Sequence, residues 1–162
     1  MLTKKFTYIV DISDLNIAWQ KLEKRTRGAI KSCQESVYKT DDIYNFDYLH
    51  QLTRPDRKIT SQFIYDTYKD LWPNCQIYST RNASALISWD KDRAYYLLAA
   101  RDKKKTASKN APSKILWTAF EDLNKMGIKE IDLCGANKEN IAFFKRGFGG
   151  IKVKQEIPCL IY

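Results

Sequence analysis

Between Arg93 and Leu133 the chain reads as an apolar strand (RAYYLLAA), a basic loop, an amphipathic helix and a second strand (IKEIDL). Two strands joined through a helix cannot form a hairpin. The crossover brings them back parallel and right-handed, with the helix on one face of the sheet. Immediately before this unit, residues 83–89 form another strand pattern, and Asp90-Lys91-Asp92 supplies a polar turn. That pair predicts an antiparallel hairpin. A parallel pair beside antiparallel strands gives a mixed sheet with helices on its faces.

The flanking segments fit the same plan. Residues 5–12, KFTYIVDI, are aromatic and β-branched and read as a strand, after which Ser13 or Asp14 offers an N-cap. From Leu15 to about Cys33 apolar residues recur at helical spacing, and Gly28 weakens that helix without breaking it. Residues 36–40 suggest a short strand, and Asp41-Asp42 opens a helix towards Leu52. Residues 59–72 are helical again and stop at Pro73-Asn74, before a strand at 75–79. The helix at 115–125 ends at Met126-Gly127, a short helix runs from Asn137 or Lys138 to Arg146, and 151–155 and 158–162 read as closing strands. No repeat or linker interrupts the 162 residues, so a single domain over 1–162 is expected.

Composition narrows the function classes. Apolar residues make up 44% of the chain, enough for a core and too many for disorder. Lysine and arginine total 28 against 19 acidic residues, so 28 − 19 gives +9. That charge favours an anionic partner such as nucleic acid, a nucleotide cofactor or an acidic surface. Cys33, Cys75, Cys134 and Cys159 are far apart, no CxxC occurs and His50 is the single histidine. The spacing gives no support to a zinc site or a Ser-His-Asp machine, and reduced cysteines with no bound metal are expected. No apolar run is long enough to span a bilayer and the N-terminus lacks signal-peptide features, so the expectation is a soluble cytoplasmic protein.

Four segments together carry a resemblance: YYLLAARD (95–102), APSKILWTAFEDLNKMG (111–127), KEIDLCGAN (129–137) and FFKRGFGG (143–150). With KRTRGAIKSCQESV at 24–37, they resemble the FemABX-like and BioF-type acetyltransferase branch of the GNAT acyltransferases. The resemblance implies an α/β (α+β) fold with a GNAT-like mixed, mostly antiparallel central sheet flanked by helices. It also implies transfer of an acyl group, acetyl or aminoacyl, from a phosphate-bearing donor to an amine by direct attack. The donor it suggests is acyl-CoA such as acetyl-CoA, with aminoacyl-tRNA as the alternative.

Site residues follow from the same likeness. Lys145, in the Phe144-Lys145 pair, falls at the reaction centre, where a fixed cation would stabilise a developing oxyanion. Leu98, Ala99, Ala100 and Arg101 fall on the strand whose backbone pairs with the donor's acyl chain. Ser113 and Lys114 fall at a helix start suited to phosphate, and the basic loop from Arg101 to Lys114 adds charge. Asn137 either bonds the donor or caps the next helix. Arg25, Arg27 and Lys31 share a helix region and are candidates for substrate or tRNA phosphate, against a plain solvated helix face. Tyr96 is a candidate for the substrate wall, and its simplest reading is core.

Three departures stand beside the likeness. The Gly-rich pyrophosphate signature of GNAT enzymes is replaced by Asn110-Ala111-Pro112-Ser113, and their proton-donating tyrosine falls on Phe143 or Phe144. Both departures are shared by the branch itself. Fem enzymes carry two GNAT units, so on one unit a peptidoglycan-type acceptor would need a second subunit. The competing readings are a catalytically inactive module binding RNA or a protein partner, and a homodimer that completes its acceptor site by pairing. The acceptor itself is expected to be a small-molecule or peptide amine.

Overall fold

A computed structural model describes residues 6–53, 59–136 and 138–154. The elements run β1 (Phe6–Asp11), α1 (Leu15–Lys21), α2 (Lys24–Ser32), β2 (Tyr38–Thr40), α3 (Ile43–Thr53), α4 (Ser61–Leu71), β3 (Cys75–Ser79), β4 (Ala83–Trp89) and β5 (Arg93–Arg101). A single 3₁₀ turn at Thr106–Ser108 follows, then α5 (Ala111–Lys125), β6 (Glu130–Asp132), α6 (Glu139–Arg146) and β7 (Ile151–Lys154). The strands form one sheet in the order β2-β3-β4-β5-β6-β1-β7. Every neighbouring pair is antiparallel except β5 and β6, joined through α5 as the crossover requires. The fold class is therefore the mixed, mostly antiparallel α/β sheet expected from the sequence. Cys159, Gln155 and the expected last strand at 158–162 lie outside the described residues.

Helices cover both faces, which is why β4 is buried along almost its whole length rather than alternating. On one face α5 packs Ile115, Leu116, Phe120 and Leu123 against Tyr8, Val10, Ile87 and Ile131. On the other, Phe46 of α3 and Ile64 of α4 meet Ile77, Leu86, Leu97 and Leu98. An aromatic series crosses the first core. Trp19 touches Trp117, Trp117 touches Phe120, Phe120 touches Phe148, and Phe148 touches Phe144, with ring centroids 5.0–5.8 Å apart. Edge-on and tilted contacts at these distances add to area burial, and they tie α6 to the body of the protein.

The expected helix over 15–33 is two helices. Asp14 caps α1 by accepting from the backbone N–H groups of Asn16 and Ile17. The chain then turns extended at Leu22, and the Glu23 N–H donates to the Gly147 carbonyl at 2.9 Å. A contact 124 positions away in sequence thus breaks the helix, where local periodicity favours continuing it. Conversely, α5 begins at Ala111, four residues before the apolar stripe, with Pro112 in its first turn where the missing N–H costs nothing.

The segment after α6 fits only as glycine. Gly149 has φ +73°, and a Cβ there would collide with the Lys21 backbone carbonyl. A Cβ on Gly150 would sit 2.7 Å from the Ile9 carbonyl oxygen. Backbone cannot swing aside as a side chain can. Gly149→Ala is therefore expected to cost about 2 kcal/mol or more. Gly28→Ala, in open space on α2, is expected to gain up to about 1 kcal/mol. At roughly 2–4 °C per kcal/mol for a chain of this size, thermal melting should move the two variants in opposite directions.

Candidate active site

The site originates where the parallel pair ends. β5 and β6 register only over Arg93↔Glu130, Ala94↔Ile131 and Tyr95↔Asp132. Two local features stop the pairing. In β5 the register against β4 slips between Leu86↔Leu98 and Ile87↔Tyr96, leaving Leu97 as a bulge. The bulge puts Leu97 and Leu98 together in one core, while Tyr96 faces the other. After β6, Cys134 takes a left-handed φ of 59° and turns the chain away. Asp132 holds this turn: its carboxylate accepts the Cys134 N–H at 2.7 Å and the Thr7 hydroxyl.

The two strands diverge around a cavity of about 600 Å³. β5 contributes the stretch from Tyr96 to Arg101, and the α5 start contributes Pro112 and Ser113. Cys134, Gly135, Lys138, Phe144 and Lys145 close the other side. Among the described residues five lining side chains are cationic (Arg101, Lys103, Lys109, Lys138 and Lys145) and none is a carboxylate. Arg101, Lys103, Lys109 and Lys138 sit towards solvent, whereas Lys145 is only 8% exposed. Its ammonium donates to the carbonyls of Gly135 at 2.8 Å and Cys134 at 3.1 Å, and lies 5.6 Å from the Tyr96 ring centroid. Burying a charge is costly unless it is hydrogen-bonded. The left-handed turn supplies that bonding by presenting two successive carbonyls.

The first turn of α5 has the opposite polarity. Asn110 makes no side-chain cap bond, Pro112 has no N–H, and the Lys114 N–H already bonds the Asn110 carbonyl. The Ser113 hydroxyl is 93% buried as a residue but has no partner among the described residues. The positive end of the helix dipole and an unsatisfied hydroxyl therefore face an already cationic cavity.

Of the residues singled out from the sequence, Phe144, Lys145, Leu98, Ala99, Ala100, Arg101, Ser113 and Tyr96 come together at this cavity. Lys114 does not line it; its ammonium donates to the Glu35 carbonyl at 3.3 Å. Successive helix positions point about 100° apart, so Ser113 and Lys114 cannot both face one cavity. Arg27 and Lys31 are also elsewhere. Arg27 donates to the Leu22 and Gln20 carbonyls, and Lys31 lies 5.6 Å from the Trp19 ring centroid. Asn137 lies outside the described residues. His50 stacks on Phe46 in the core. Cys33 and Cys75 are free thiols, and burial pushes the Cys75 thiol up to about 11. Among the described residues no cluster of three or more His, Cys, Asp or Glu side chains gathers to hold a metal.

Two positioning residues stand out: Thr53, which carries no sequence signal, and Arg25, read from the sequence as a phosphate contact but engaged with Phe143. Arg25 lies 3.6 Å over the Phe143 ring and donates to the Phe143 carbonyl, one of the unpaired acceptors of the last turn of α6. It thereby fixes the helix that carries Lys145. Thr53, at the end of α3, accepts the Arg101 N–H at 2.6 Å and lies 3.0 Å from the Arg101 carbonyl, holding the free end of β5.

No family model matches the sequence, and no curated protein matches it. The fold does match solved structures. FemX superposes with a TM-score of 0.75 at 12% identity, over 93% of this chain and 60% of that one. The C-terminal domain of a putative lysylphosphatidylglycerol synthetase from Agrobacterium fabrum gives 0.66 at 12%, over 93% and 58%. A GCN5-related glucosamine N-acetyltransferase region within a fungal multi-domain β-N-acetylglucosaminidase gives 0.53 at 7%, over 96% and 20%. The fold is the one these solved structures share. The chain spans about 60% of the FemX and synthetase structures.

Thr53→Val keeps the shape of the side chain and removes its hydrogen bonds to the end of β5. It is expected to cost about 1–3 kcal/mol, the penalty for stranding buried backbone groups. Urea unfolding measures that loss directly.

Proposed function

We propose that this chain is an N-acyltransferase that moves an acyl or aminoacyl group from a phosphate-bearing donor to an amine by direct attack. One observation carries the reading: a cavity lined, among the described residues, by five cations and no carboxylate lies where two parallel strands part, with the buried Lys145 ammonium at one end. Such a cavity favours a polyanionic ligand at its rim and negative charge developing at its base. The free edge of β5 beyond Tyr95 supplies backbone donors and acceptors for an amide-bearing acyl chain.

In this mechanism the amine attacks the donor carbonyl, whose oxygen becomes an oxyanion. Lys145 stabilises that oxyanion from a fixed position, an effect worth about 3–4 kcal/mol for one such donor. Phe144 packs beside it and helps to exclude water, and Tyr96 forms the wall opposite. Arg101, Lys103, Lys109 and Lys138 neutralise donor phosphates, with Ser113 contributing its hydroxyl and the helix start. The acceptor is a small-molecule or peptide amine.

A second observation bears on the donor. A pyrophosphate cradle uses successive backbone N–H groups, and here Pro112 removes one while Lys114 has spent another. The outward-facing lysines suit a longer polyanion. This favours aminoacyl-tRNA over the acyl-CoA that the sequence alone suggests.

Thermal melting with acetyl-CoA, free CoA, uncharged tRNA and aminoacylated tRNA separates these donors. A ligand at a hundred times its dissociation constant adds about 2.7 kcal/mol, roughly 5–11 °C here. The expected result is a rise with tRNA that weakens steeply between about 50 and about 200 mM salt. Combined replacement of Lys103, Lys109 and Lys138 by Gln should flatten that salt dependence. A rise with CoA instead assigns the acyl-CoA donor. Transfer that survives Lys145→Met, or no melting shift with any ligand, overturns the reading.

A further inference from the structure

Tyr96 is the one tyrosine among the described residues that line the cavity, and it is only 6% exposed. Its hydroxyl has no hydrogen-bond partner among the described residues. The contrast with its neighbours is plain. Tyr78 donates to Asp122, Tyr95 to Asp90 and Tyr65 to Asp47, at 3.1–3.2 Å. Buried phenols normally find such partners. Tyr96 instead lines the cavity, with the Lys145 ammonium 5.6 Å from its ring centroid.

Acyl transfer to an amine takes a proton from the attacking nitrogen and, for a poor leaving group, must deliver one to it. Among the described residues the cavity is lined by no carboxylate and no histidine. Lys145 donates to two carbonyls, and the Cys134 thiol is directed at the Asp132 carbonyl, 3.7 Å away. The Thr53 and Ser113 hydroxyls are far weaker acids than a phenol. Burial raises the Tyr96 phenol well above its ordinary value, so it is protonated throughout the neutral range.

The need for such a group depends on the donor. A thiol has a pKa of about 8.5, so a thiolate leaves without help. An alcohol lies near water, about 15.7, so an alkoxide needs a proton as it departs. We propose that Tyr96 is the proton relay for transfer from an oxyester donor. It gives its proton to the leaving oxygen as the C–O bond breaks, and takes back the proton that the attacking nitrogen sheds after the C–N bond forms. Amine and ester become amide and alcohol with no net proton exchanged with solvent, and Lys145 stabilises the transient phenolate. This role rests on the acyltransferase reading above.

The test compares two donors of one acyl group, the alanyl ester of adenosine and the alanyl thioester of CoA, with hydroxylamine as the acceptor amine. Tyr96→Phe should lower the oxyester rate about 100-fold and the thioester rate at least tenfold less. Its melting temperature should stay close to wild type, because the lost hydroxyl bonds nothing. Replacing Tyr96 with a fluorinated tyrosine, a stronger acid, should bring into the oxyester pH profile an alkaline limb that the wild-type protein does not show. Equal losses for the two donors, an undiminished oxyester rate or the absence of that limb overturns the relay. In those cases the wild-type rates leave the acyltransferase reading standing. A wild-type protein inactive with both donors overturns that reading and the relay with it.

Discussion

Three residues of parallel pairing between β5 and β6 determine where everything else in this molecule can stand. A longer ladder would close the sheet and leave no space between the strands. The Leu97 bulge ends the ladder on one side and the left-handed Cys134 turn ends it on the other. The same turn that opens the cavity aims two carbonyls at Lys145. Opening the sheet and charging its gap are thus one structural event. Asp132 secures that event from beneath by holding both β1 and the turn.

Charge is divided by depth. The deep cation is held by two backbone acceptors and gives up the freedom of a surface lysine. The outer cations remain solvated and are individually weak. Their effect comes from sharing one cavity in which no carboxylate opposes them among the described residues. That arrangement suits a ligand whose anionic part stays near solvent while its reactive end reaches the interior.

The crossover, the hairpin and the sheet class were legible because strand and helix periods alternate clearly from Ala83 to Leu133. Most of the cavity lining was legible only through the family likeness, since a strand edge used for its backbone leaves no side-chain trace. The failures have local causes. Arg27 and Lys31 read as free cations, but a nearby carbonyl and an indole ring absorb them. The break between α1 and α2 depends on the Gly147 carbonyl, which no window around Leu22 contains. The bulge sits inside YYLLAA, where nothing marks Leu97 as the extra residue. Thr53 is an ordinary threonine at a helix end until the fold brings Arg101 to it.

The aromatic series from Trp19 to Phe144 has an evolutionary consequence. It makes the wall beside Lys145 continuous with the protein's interior, so that wall cannot be reshaped without disturbing the core. The rim lysines belong to no such series and are open to substitution at little cost in folding. Selection can therefore alter the charge of the rim while the inner end of the cavity is held constant by packing. Divergence among proteins of this build should accumulate at the mouth of the cavity and be purged from its floor.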